Sequence, residues 1–312
     1  MLLKTADDKE SQIAILKNLL NHEKIPGEKK QQIEKELRNL VVGIATEKQA
    51  AYEIDFYFGP SKNLIVLHDL RLEVNGRVAQ IDHILMNRGF EVYVLETKTF
   101  SSGLVINERG EFSTFFDGRQ VGIPSPIEQN ARHVAVLRDA FKAVGLPTRL
   151  GITIQPSFHP VVLVSPKAVI SRPESSKNDT NSVVKLDQFS SWYNEKLNQT
   201  NASDVVGIFK ISSLDTIREL GQKLISLHRP GRIDYIAKFG LAEYLLKKET
   251  AASSPPQSSK TVDVKYGETG KQKNYFCVSC KNAVAEVVAK FCWNNKRKFD
   301  GKVYCRICQN KV

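Results

Sequence analysis

Cysteine is missing from most of this chain: all five fall in the last 36 residues, at Cys277, Cys280, Cys292, Cys305 and Cys308. That crowding excludes a disulfide framework spread through a small secreted fold. No apolar run approaches the ~20 residues that a membrane-spanning helix needs. The opening MLLKTADDKESQ carries acids early and has no long apolar stretch. Neither a membrane anchor nor a secretory leader is therefore expected, and the chain reads as cytoplasmic. Internal repeats are absent as well. Acids are scarce at one end: from Lys260 onward twelve Lys/Arg stand against four Asp/Glu, whereas the preceding residues carry 33 against 30. Most of the net charge of +11 thus sits in the last fifty or so residues. A cation cluster suits polyanions, nucleic acid first, through phosphate contacts. The plainer alternative is a solvated basic tail.

What is present fits a globular protein. The 312 residues are 41 % hydrophobic and 25 % charged, enough for a sizeable core and roughly two domains. Residues 1–42 read as a helical hairpin. Ile13, Leu16, Leu19 and Leu20 form one stripe, Pro26-Gly27 breaks it, and Ile33, Leu37, Leu40 and Val41 form another. Such a hairpin packs on the next domain, or offers a surface to a protein partner or a second copy. A third helix is expected from Gly43 to Phe58. Strands are predicted over Leu64–Leu72, Arg77–Leu85 and Phe90–Phe100, joined by short turns that make an antiparallel meander. An irregular stretch then runs to Pro126. Ile127, Ala131, Val134, Leu137 and Phe141 fall at helical spacing, and His159–Pro166 reads as a buried strand. The order is α-β-β-β-α-β. It places a core at 43–170, an α/β extension at 171–250, a linker at 251–272 (AASSPPQSSK leads it) and a cysteine module at 273–312.

The chemistry begins with YVLETKTF, residues 93–100. Residues two apart in a strand share a face, so Glu96 and Lys98 sit side by side on the face that Phe90, Val92 and Val94 mark as inward. The strand before it holds AQIDHIL, in which Asp82 is read on the face of Gln80 and Ile84. Folding about Asn87–Gly89 brings Asp82 opposite residues 94–96, within one or two places. Two carboxylates at close quarters repel unless a cation lies between them. Mg²⁺ typically takes one or two carboxylates, with waters and phosphate oxygens completing its shell. A nearby lysine can orient or deprotonate an attacking water, or stabilise charge on a phosphate. The competing reading is a structural acid–lysine bridge on a solvated face. His83 reads as a packing residue on the opposite face. Tyr52 and Tyr93 read as core.

Five segments resemble the nuclease-related domain (NERD) family, a branch of the PD-(D/E)xK nuclease superfamily: GIATEKQAAYEI at 43–54, VLHDLRL at 66–72, QIDHIL at 80–85, VYVLETKTFSSG at 92–103 and SPIEQN at 125–130. The resemblance spans about residues 43–165. It implies an α/β, restriction-endonuclease-like core, a mixed sheet flanked by helices, and hydrolysis of phosphodiester bonds with Mg²⁺ or Mn²⁺. Carried over, Asp82 and Glu96 would be metal ligands, Lys98 the catalytic lysine, Glu47 the carboxylate of the first helix and Gln129 the polar residue of the helix after the sheet. Glu53 is the alternative to Glu47. His133 follows one turn after Gln129 on the same side of the helix and, from spacing alone, is not counted among the site residues. The family usually has Asn before the proline where Ser125 stands here, and a tryptophan where Phe112, Phe115 and Phe116 lie.

The module at the end places Cys277/Cys280 and Cys305/Cys308 as two C-x2-C knuckles with 24 residues between them. Four thiolates suit a tetrahedral Zn²⁺ site. A piece of about forty residues needs such metal to be stable. Cys292 reads as a buried thiol. The module resembles four-cysteine zinc ribbons attached to nucleic-acid enzymes, and Lys296, Arg297 and Lys298 beside Trp293 and Phe299 would supply phosphate contacts and a stacking surface. The combined expectation is a Mg-dependent deoxyribonuclease targeted to DNA by its ribbon. The alternative is a non-catalytic nucleic-acid-binding or scaffold protein on the same fold, since fold alone does not separate the two.

Overall fold

The structure, a computed structural model, describes residues 1–100, 103–174, 180–203, 211–246, 275–284 and 286–309. The chain divides into two compact units, Met1–Thr250 and Ala251–Val312. The linker expected at 251–272 lies outside the described residues. Among the described residues no helix is long and apolar enough to cross a membrane.

The first unit opens with β1 (Leu2–Lys4), α1 (Glu10–Leu20) and α2 (Gly27–Phe58). The meander follows: β2 (Leu64–Val74), β3 (Arg77–Asn87) and β4 (Glu91–Lys98), paired antiparallel as the short turns require. After β5 (Leu104–Ile106), β6 (Phe112–Phe116) and β7 (Arg119–Ile123) comes α3 (Pro126–Val144). Two short strands, β8 (Thr148–Arg149) and β9 (Ile152–Thr153), lead to β10 (Ser157–Val164), which lies parallel to β4. Then come β11 (Ile170–Ser171), β12 (Val183–Lys185), α4 (Phe189–Ser203), α5 (Leu214–Ser226), α6 (Tyr235–Phe239) and α7 (Ala242–Leu246). The main sheet is mixed, in the order β1-β2-β3-β4-β10-β12. On one face Ile65, Leu67, Val92 and Val94 meet Val134, Leu137 and Phe141 of α3 and Ile217, Leu220 and Leu224 of α5. On the other, Val66, Leu85, Tyr93 and Leu95 meet Ala50, Ile54 and Phe58 of α2 and Phe189 and Tyr193 of α4. Burial on both faces is the expected arrangement for a sheet whose parallel crossover is a helix.

Several sequence expectations change. The stripe at Ile33–Val41 and the helix from Gly43 are one 32-residue helix, α2. Gly43 looks like a boundary in the sequence, but a lone glycine costs only about 1 kcal/mol against alanine and does not end a helix. The stretch before Pro126 is not irregular: β5, β6 and β7 join β11 in a four-stranded sheet. Its tight turn is Asp117-Gly118, both at positive φ, as a two-residue hairpin demands. Strand β1 carried too little pattern to be seen. Tyr93 is buried, but Tyr52 is 68 % exposed on α2 and not a core residue. The apolar stripes of α1 and α2 (Leu16, Leu19, Ile33) close on Tyr235, Phe239 and Leu241 of the same chain.

One irregularity positions the site. Along β2, Ile65 and Leu67 share a cluster with Leu70 and Leu72; along β3, Ala79 and Ile81 share it with Ile84 and Met86. In both strands the in–out alternation shifts by one place, at Asp69 in β2 and at Asp82 in β3. The register His68↔His83 and Leu70↔Ile81 skips the pair between, and Asp69 adopts a φ of 53°. Gln80 therefore faces away from Ile84, contrary to simple alternation. Breaks of this kind re-aim side chains and recur beside active sites.

The second unit pairs β13 (Tyr275–Phe276) with β14 (Ala283–Val284), followed by α8 (Glu286–Asn294), α9 (Lys296–Phe299) and α10 (Arg306–Gln309).

Candidate active site

The β3–β4 register ends at His83↔Leu95, and the next residues, Asp82 and Glu96, lie close enough to act on each other. Asp82 Oδ2 accepts a hydrogen bond from Thr97 N at 2.7 Å. Burial pushes the Asp82 carboxyl well above its usual range; Glu96 and Glu47 push the same way, and the Thr97 N–H and Lys98 oppose them.

Glu96 is only 3 % exposed. It follows Val92 and Val94 in alternation and so faces α3. Its Oε1 receives Lys98 Nζ and Gln129 Nε2, each at 2.8 Å. Its Oε2 lies 3.2 Å from His133 Nδ1, out of line for a hydrogen bond, and makes no other hydrogen bond. Burial would raise the Glu96 carboxyl, but His133 and Lys98 outweigh it and hold the group below its ordinary value. The two carboxyls are thus pushed in opposite directions, as adjacent acids in an enclosed site often are.

Two anchors hold the helices in place. Ser125 caps α3 by accepting from Glu128 N, and Pro126 occupies the first turn, where a missing N–H costs nothing. Serine thus performs the capping that asparagine would. Asn130, fully buried, donates from Nδ2 to Val94 O and Val161 O on adjacent strands, either side of Pro160, which has no N–H to give. That locks α3 across β4 and β10 and fixes Gln129 and His133. On the other side, the hydroxyls of Thr46 in α2 and Thr99 after β4 lie 2.6 Å apart, bringing Glu47 to the site.

The structure thus brings Asp82, Glu96, Lys98, Glu47, Gln129 and His133 together. Glu47, rather than Glu53, is the α2 acid that acts on Asp82. Two members were not read from the sequence. Asp69, 4 % exposed, accepts from Gln80 Nε2 at 2.8 Å and Asp7 N at 3.1 Å. Lys9 Nζ lies 2.6 Å from Glu47 Oε2 and 3.7 Å from Asp69 Oδ2. Asp69 had a signal, an acid inside the apolar run VLHDLRL. Lys9 sits in an aperiodic stretch and had none. His83 packs where expected, with Nδ1 2.8 Å from His68 Nδ1.

In the second unit, candidate ligand atoms of Cys277, Cys280, Cys305 and Cys308 all lie within 4.8 Å of one another, and Sγ of Cys280 and Cys305 are 3.6 Å apart. A tetrahedron with metal–sulfur bonds of about 2.3 Å would place sulfurs about 3.8 Å apart. Burial pushes the Cys277 thiol up, but backbone N–H groups of Cys305, Cys280 and Ser279 outweigh it and bring it down to about 6. Cys292 is buried outside this cluster, accepting from Tyr304 N at 3.4 Å and Gln309 Nε2 at 3.2 Å. The side chains of Lys296 and Arg297 lie outside the described residues. Lys298 Nζ stands 5.4 Å from the centre of the Phe299 ring.

Residues 42–165 match the family model of the nuclease-related domain. No curated protein and no solved structure matches the chain.

Proposed function

We propose that the nuclease-related domain at residues 42–165 hydrolyses phosphodiester bonds of DNA with Mg²⁺ or Mn²⁺, and that the C-terminal cysteine unit holds Zn²⁺ and binds the same substrate. The observation that carries the catalytic reading is Glu96. It is a buried carboxylate with one oxygen bonded to Lys98 and Gln129 and the other beside His133 without an aligned hydrogen bond, close enough to Asp82 to raise its carboxyl. Two carboxylates at close quarters, one with an oxygen that makes no aligned hydrogen bond, suit a hard cation with oxygen ligands. Asp82 and Glu96 would hold the ion, and Glu47 would add a third carboxylate nearby.

When bound, such an ion supplies a Lewis acid and lowers the pKa of water. The chain's own groups do the rest. Gln129 and His133 orient Glu96 from α3. The Lys98 side chain, 30 % exposed, reaches from Glu96 toward solvent, where its ammonium can hydrogen-bond a phosphate oxygen or the attacking water. The helices that close both sheet faces keep the wall of the site dry and so strengthen each charge interaction. Four thiolates within 4.8 Å of one another support a closed set with no open position, in which a bound Zn²⁺ would serve folding rather than catalysis. The excess of Lys/Arg after Lys260 supports nucleic acid as the partner of that unit.

The test is incubation of the full chain with linear and circular DNA, and RNA in parallel, with Mg²⁺ or Mn²⁺. Lys98→Ala is expected to lose roughly 100-fold or more in rate while keeping the wild-type circular dichroism. Equal behaviour of the two proteins sinks the catalytic claim. The internal ion pairs Lys98–Glu96 and Lys9–Glu47 then favour a second reading, a nucleic-acid-binding protein without hydrolysis, visible as retarded DNA in a gel.

A further inference from the structure

The acids of the site come from residues 47 to 96, inside or beside the matched domain, but one of its two lysines does not. Lys9 arrives on a segment that precedes the domain and is stitched onto β2 along its length. Strand β1 pairs parallel with β2, Leu2 against Val66. Lys4 Nζ donates to His68 O at 3.1 Å and to Asp7 Oδ1 at 2.8 Å. Asp7 N donates to Asp69 Oδ2, and Asp7 Oδ2 pairs with His228 Nε2 at 2.8 Å. His228 Nδ1 in turn accepts from Arg71 N. This strap ends at Lys9, whose side chain is 13 % exposed and whose ammonium sits between Glu47 and Asp69.

We propose that Lys9 is a tethered internal cation that competes with the divalent ion on the Glu47 side of the site. This rests on the nuclease reading given above. An ammonium at 2.6 Å from Glu47 Oε2 occupies a carboxylate oxygen that an ion shared with Asp82 would need. Two positive charges cannot share that space without strong repulsion. Loading the Glu47 side therefore requires Lys9 to withdraw, and the strap sets how readily it does so. Glu96 is not engaged by Lys9: its second oxygen faces the His133 ring on the α3 side at 3.2 Å, without an aligned hydrogen bond. Lys9 thus makes divalent binding weaker and more selective for ions that can hold on Asp82 and Glu96 alone.

The experiment measures Mn²⁺ binding by the full chain, followed by the spin-resonance signal of free Mn²⁺. Asp82→Asn defines the binding that belongs to this site. Lys9→Gln is expected to tighten the Asp82-dependent affinity by roughly tenfold, the effect of removing one nearby charge at partial exposure. Lys9→Arg keeps the charge and is expected to stay within about threefold of the wild type on the same grounds. Circular dichroism without metal checks that each variant is folded. If Lys9→Gln folds and binds Mn²⁺ with wild-type or weaker affinity while Asp82-dependent binding persists, the Lys9 inference falls and the nuclease reading stands. If no variant shows Asp82-dependent binding, both fall.

Discussion

A pair of buried histidines lies directly behind the acidic site, and its protonation can be worked out residue by residue. His68 Nε2 lies 3.0 Å from Asp55 Oδ1 and must donate to it. His68 Nδ1 is then an acceptor, so His83 Nδ1 donates across the 2.8 Å gap, and His83 Nε2 is left as a bare buried acceptor. Burial pushes the His83 ring well below 6.5, and His68 and Lys9 push it further. Burial also lowers His68, with Asp55 opposing. Both rings are thus neutral in the fold, whereas the unfolded chain takes up protons below about 6.5. The depressed folded pKa means that stability is fully present above that value and drains away as pH falls below it. Each ring contributes at most about 1.4 kcal/mol per pH unit. Urea midpoints at pH 7.5 and 5.5 measure this, with His83→Gln expected to show a smaller drop than the wild type. An identical drop in both proteins would remove His83 from the account.

At the scale of elements, α3 is the part whose placement decides the site, and Asn130 is what places it. Both hydrogens of its amide nitrogen serve strand carbonyls, so Asn130→Ala leaves those groups buried and short of donors. A cost of about 1–3 kcal/mol follows, read as a lower urea midpoint, with a larger loss of rate than of stability because Gln129 and His133 loosen with the helix. The meander and the approach of Asp82 to Glu96 were legible in the sequence because hairpin register depends on neighbouring residues: the turn at Asn87–Gly89 and the alternation of Val92 and Val94 set it. The facing of Gln80 was not legible, since the shift at Asp69 and Asp82 leaves no mark of period two. Nor was the continuity of α2, because Gly43 looks like punctuation and is only a weak spot. Lys9 was hidden for a third reason: parallel pairing of β1 with β2 joins residues more than sixty positions apart, and no local pattern announces that.

For the whole molecule, the two compact units are expected to lose structure independently. If the four cysteines hold Zn²⁺ as proposed, chelation should abolish the structure of the cysteine unit, because so small a piece has little core of its own. The first unit should melt at an unchanged temperature. Calorimetry with and without chelator, and metal analysis of a Cys305→Ser/Cys308→Ser variant, check this. A lowered transition for both units would show that they are not independent. A different boundary matters inside the first unit. The family match begins at residue 42, in the middle of α2, and ends at 165, just after β10. Left outside are Ile217, Leu220 and Leu224, which cover one face of the sheet, and Phe189 and Tyr193, which cover the other. Residues 42–165 made alone should therefore aggregate or lack dispersed amide resonances, whereas 1–246 should give a folded spectrum. The length of chain that inheritance passes on as a recognisable block is thus shorter than the length that can stand by itself in water. Moving the block into another protein would succeed only where the new host supplies fresh covers for both sheet faces.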